Sequence, residues 1–141
     1  MHIKKVGLLL AFTLTGCQSP EVVDAGYTYV PKQLHSSVIE YLKSEEFTNL
    51  SSPEESYYFN ESESLVEVTL NAETDMMFVT PYLRNDLLNA LCSGDDEWSI
   101  FMRNTGLGVK YILRDSLKRK QIGPWNTDAC EYLEKNKSSS A

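Results

Sequence analysis

Histidine is almost absent from this chain: His2 and His35 are the only two in 141 residues. There is no H-E-x-x-H, no C-x-x-C, no G-x-S-x-G and no Gly-rich phosphate loop. The zincins, dithiol oxidoreductases, α/β-hydrolases and P-loop nucleotide-binding proteins recognised by those patterns are therefore set aside. His35 lies beside Leu34 on an expected helix and reads as structural or solvated. Basic residues are also scarce, 13 against 20 acidic ones, for a net charge of −7. Such a surface repels phosphates, and no basic patch with interleaved aromatics appears, so nucleic acid is not an expected partner. Paired carboxylates are plentiful (Glu45–Glu46, Glu54–Glu55, Glu61 with Glu63, and the Asp95, Asp96, Glu97 cluster). They read as solvated loop charge and a helix start. A hydrolase or a cation site built on them has no specific support. The chain is expected to be a non-enzyme without metal or cofactor.

Long apolar runs are missing too. The one sustained stretch, residues 6–14, is too short to span a bilayer. It follows Lys4 and Lys5 and leads into Leu14-Thr15-Gly16-Cys17. A positive n-region, a short apolar core and small residues before a cysteine resemble the signal peptide and lipobox of bacterial lipoproteins. The resemblance implies cleavage after residue 16 and lipidation of Cys17. In lipoproteins of Gram-negative bacteria an Asp after the cysteine tends to retain the protein at the inner membrane. Gln18 stands there, so the expected location is the outer membrane, lipid-anchored and facing the periplasm. The mature chain keeps 11 basic and 20 acidic residues, a charge of −9, and suits a basic partner.

Two cysteines then remain, Cys92 and Cys130. In an oxidising compartment an even pair reads as a disulfide. A metal pair or a catalytic thiol is the alternative, and His35 is too distant in sequence to support either. The bridge is expected to stabilise the fold by about 4 kcal/mol through loop closure.

Along the chain, residues 17–31 read as the lipidated cysteine and a tether, 32–133 as one domain, and 134–141 as a disordered tail. Residues 32–43 place Leu34, Val38, Tyr41 and Leu42 on one helical face. Residues 44–56 read as a polar loop with Phe47 and Leu50 as buried anchors. Residues 57–59 and 65–71 alternate as strands across a polar link at 60–64, and 76–79 is a third strand or a lead into the next helix. Pro81 opens a helix capped by Thr80 and closed at Cys92. Ser93 or Asp95 caps a second helix that ends at Gly106. Residues 108–114 and 121–125 form the clearest strand pair, with a charged turn between, and Pro124 marks an edge or a strand end.

These elements predict an α+β fold: a small antiparallel sheet of three to five strands packed with three helices and stapled by one disulfide. The order of elements, with Leu91-Cys92, Gly106, residues 109–115 (VKYILRD) and Cys130, resembles the α/β, disulfide-bearing outer-membrane pilotin lipoproteins of type II secretion systems. The resemblance covers about the last 60 residues and the signal. It implies an assembly adaptor that binds the C-terminal segment of a secretin subunit and helps target it to the outer membrane. Leu34, Val38, Trp98, Tyr111 and Trp125 are the expected contact residues, with the helix from Leu34 to Leu42 as one wall of a groove. The competing expectation is an acidic lipoprotein that binds or inhibits a basic protein through residues 44–56, or else a structural envelope lipoprotein.

Overall fold

Alternation of period two is strongest in two segments, and both are strands with the expected bounds. In the computed structural model, which describes residues 23–71, 81–115 and 119–140, β2 is Leu65–Asn71 and β3 is Gly108–Arg114. Strand β1, Glu55–Asn60, precedes them, and β4, Arg119–Trp125, follows. The sheet order is β1-β2-β3-β4. The outer pairs are antiparallel hairpins, but β2 and β3 run parallel, with Leu65 opposite Gly108 and Asn71 opposite Arg114. The expected antiparallel sheet is thus corrected to a mixed one. The cause is the connection between β2 and β3. It carries two helices, α3 (Pro81–Ser93) and α4 (Glu97–Thr105), and is long enough to cross over the sheet and return in the same direction.

Among the described residues five α-helices, not three, accompany the four strands. The expected helix over 32–43 contracts to α1, Ser36–Leu42, because His35 becomes its cap and accepts the Ser37 N–H at 3.2 Å. The expected loop 44–56 contains a short helix, α2, Glu45–Thr48, which Ser44 caps through the Phe47 N–H. Phe47 is buried as expected, whereas Leu50 points to solvent. The cap of α4 is Asp96, not Ser93 or Asp95: it accepts the Ser99 hydroxyl at 2.7 Å and the Ser99 N–H at 3.0 Å. Those two bonds hold its carboxyl below the usual range. Gly106 ends α4 with φ +80°, the left-handed conformation expected of it. Arg103 reaches back from α4 to the carbonyls of Leu91 and Gly94, both at 2.7 Å, and satisfies acceptors at the end of α3. Helix α5, Thr127–Ser140, was not expected, and it carries the chain through residues that composition marked as a disordered tail. Ala129 and Leu133 bury its inner face. Residues 76–79 and Thr80 fall outside the described residues.

One face of the sheet forms the core. Val66, Val68, Val109, Leu113, Ile122 and Trp125 meet Leu42, Phe47, Leu88, Leu91, Met102 and Leu133 from the helices. The alternate positions on the other face are largely polar, with Lys110 paired to Glu67 at 3.5 Å across the parallel strands. The Cys92–Cys130 disulfide is present, with Cα atoms 5.4 Å apart, and it joins α3 to α5. The α+β class and the single bridge therefore stand.

The signal segment and residues 17–22 of the expected tether lie outside the described residues, and the rest of the tether is the largest departure. Residues 23–35 lie along the domain instead of hanging from it. Asp24 is buried, and its carboxylate accepts two hydrogen bonds from Arg84 (2.8 and 2.7 Å) and one from the Trp125 indole N–H (2.7 Å). Burial alone would raise this carboxyl, but the bonds from Arg84 and Trp125 and the Arg84 charge outweigh it, so the net shift is downward. Asn126, fully buried, donates to the Val30 carbonyl at 2.9 Å and accepts from the Tyr27 hydroxyl. Tyr29 donates to the Glu63 carbonyl at 2.7 Å, and its ring crosses Gly108, where a Cβ would collide with it. Lys32 pairs with Asp128 at 2.8 Å, and Tyr132 donates to the Ala25 carbonyl.

Candidate functional site

Beside β1 the surface opens into a groove of about 530 Å³. Leu42, Lys43, Phe47 and Thr48 line one side, and residues 57–62 line the other. The volume is in the range of small-ligand and peptide sites. Its position follows from the local sequence. Tyr41, Phe47, Trp98 and Phe101 stack and cross edge-to-face at centroid distances of 5.6–6.2 Å, which holds α1 and α2 against α4. Tyr57 packs on Phe47 at 6.2 Å. That aromatic cluster holds the short helices beside the edge strand, and the groove is the space between.

Tyr57 is a fixed wall rather than a titrating group. Burial, followed by its bond to Glu55 (2.7 Å), pushes its hydroxyl up to about 12. Lys43 and Glu61 meet across the groove at 2.5 Å, with both side chains about half exposed. An exposed pair of this kind is worth well under about 1 kcal/mol and yields readily to a competitor.

The main chain of β1 adds a second feature. Strand β1 is at the edge of the sheet. Tyr57 N–H donates to Ser51 Oγ at 2.9 Å, away from β2, so the odd-numbered residues of β1 aim their main-chain groups outward. Glu55 is satisfied at the same edge: its N–H donates to Ser52 Oγ and its carbonyl accepts from Ser52 N–H. Two serines thus cap the first half of the edge. Further along, Phe59 turns its N–H and C=O to the same side, and no hydrogen bond from the described residues meets them. This open half of the edge borders the groove.

The five contact residues expected from the sequence are elsewhere. Leu34 and Trp125 are core residues, the latter fully buried with its indole N–H given to Asp24, so neither is available to a partner. Tyr111 is packed edge-to-face on Trp125 at 6.3 Å, and burial raises its hydroxyl to about 12. Val38 packs against the core from α1, and Trp98 lies behind Phe47 in the aromatic cluster. None of the five lines the groove, although the helix expected as one wall supplies it with Leu42. The missed signal was Tyr57-Tyr58-Phe59, three aromatics in a row on an edge strand, where alternation alone would leave one face polar. Residues 44–56, expected as an inserting acidic loop, are held instead by Phe47 in the core and by Ser51 and Ser52 on β1.

Among the described residues no group of three or more His, Cys, Asp or Glu side chains is placed to hold a metal ion. No helix among them is long and apolar enough to cross a membrane. No family model matches the chain, and neither a curated protein nor a solved structure matches it.

Proposed function

We propose that this chain is a non-catalytic, lipid-anchored adaptor of the bacterial envelope that receives a segment of a partner protein in the groove beside β1. One observation carries the reading: an aromatic-walled groove runs along a half-uncapped sheet edge. The aromatic part of the wall supplies apolar contact, its polar and charged part supplies specificity, and open main-chain groups orient a peptide. The anchor is the lipid on Cys17, with Gln18 directing the protein to the outer membrane and the domain facing the periplasm.

The occupant suggested by the sequence resemblance is the C-terminal segment of a secretin subunit, which would make the protein a pilotin. Separation of inner and outer membranes from cells lacking this protein tests the assignment. The secretin is expected to accumulate in the inner membrane and to return to the outer membrane on complementation. A secretin that reaches the outer membrane equally well in both strains rejects the pilotin assignment.

A further inference from the structure

The groove has a chemistry of its own. From residue 40 to residue 63 the chain carries seven glutamates and one basic residue, Lys43. This stretch includes the last three residues of α1, all of α2 and β1, and the turn after it, so it surrounds the groove. Lys43 is already held by Glu61. The local field is therefore negative, and a positively charged occupant is favoured both in approach and when bound. The second constraint is the main chain. The N–H and C=O of one residue, Phe59, face away from β2 at the edge that borders the groove, as they would to receive a neighbouring strand.

Resting on the adaptor reading above, we infer that the occupant is a basic, extended segment of a partner protein that adds to the sheet as a fifth strand along the second half of β1. Its main chain pairs with Phe59. Its apolar side chains rest on the half-buried Tyr57 and Phe59, and a Lys or Arg takes over Glu61 from Lys43. The serine-capped first half of β1 limits the added strand to the Phe59 end, so the register is fixed by where Ser51 releases the edge.

The test uses the mature, lipidated protein in detergent micelles, labelled with ¹⁵N. The probes are the peptides acetyl-Lys-Val-Thr-Val-Lys-amide and acetyl-Glu-Val-Thr-Val-Glu-amide. The basic peptide is expected to bind and to slow exchange of the Phe59 amide by at least about tenfold. The acidic one is expected to do neither. Glu61→Lys, an exposed change that leaves the core intact, is expected to weaken the basic peptide by about tenfold or more, and added salt is expected to weaken it further. Equal binding of the two peptides, binding that leaves Phe59 exchange unchanged, no binding, or pairing of β1 with a second copy of this chain in sedimentation each overturns the inference. A secretin that still depends on this protein in the cell while neither peptide binds would leave the adaptor reading and remove only the strand addition. The reverse result would remove the pilotin assignment alone.

Discussion

The two edges of this sheet are built in opposite ways. At the β4 edge, Arg119 and Lys120 begin the strand, the register shifts opposite Val109 and Tyr111, and Pro124 offers no N–H. A positive charge, an irregular register and a proline all discourage an incoming strand. The same side of the molecule is tied down by Asp24 with Arg84 and Trp125, by Asn126 with Val30, and by α5, which the disulfide ties to α3. At the β1 edge, two serine hydroxyls close half the strand and the rest borders a groove in acidic surroundings. Stability is concentrated on one edge and accessibility on the other, so the two can be perturbed separately.

The largest separation is expected from the disulfide. Replacing Cys92 and Cys130 together by Ala should lower unfolding free energy by about 4 kcal/mol. This is measurable by urea titration, and groove binding by the surviving folded fraction should be unaffected. Next is Asp24→Asn, which leaves Arg84 without its carboxylate and weakens the acceptor of a buried indole N–H. A loss of about 2–3 kcal/mol is expected, again without effect at the groove.

Acid sharpens the same contrast. Asp24 has a folded pKa below its ordinary value of 3.8, so its contribution is present in full above that value and is lost as pH falls through the lowered one. Wild type should therefore hold its advantage over Asp24→Asn at neutral pH and lose it at the acid end. An advantage that persists unchanged down to pH 2 would remove the carboxylate from the account. The smallest stability effect belongs to the open edge. Lys43→Gln should change unfolding free energy by less than about 0.5 kcal/mol, since its ion pair is exposed, while strengthening a basic peptide by freeing Glu61.

The sequence made the secondary structure legible wherever burial is one-sided and local. Leu65–Asn71 and Gly108–Arg114 alternate because one face of each is core, and their bounds could be read directly. Gly106 announced a helix end, and two cysteines left one intramolecular pairing. Strand direction was not legible, because it depends on whether two helices form a crossover, and nothing in the residues of β2 or β3 encodes that. The strap at residues 23–35 was missed because its order comes from contacts 60–107 positions away, with Arg84, Trp125, Asn126 and Tyr132. Its two tyrosines, Tyr27 and Tyr29, were the available hint, since free tethers are poor in aromatics. The groove was hidden for a related reason. Trp98, Tyr111 and Trp125 look like binding residues by type, yet long-range packing draws them inward, while Phe47 and Tyr57 line the groove only because α2 settles beside an edge strand.

The contrast between the edges is tested most directly in living cells with a photoreactive benzoylphenylalanine placed at Thr48, in the groove, or at Lys120, on β4. Both positions are exposed. Irradiation is expected to join the Thr48 variant to a partner protein and to leave the Lys120 variant uncrosslinked. Capture from Lys120 with none from Thr48 would contradict the account, because it would place the receptive surface on the edge that charge, register and Pro124 close.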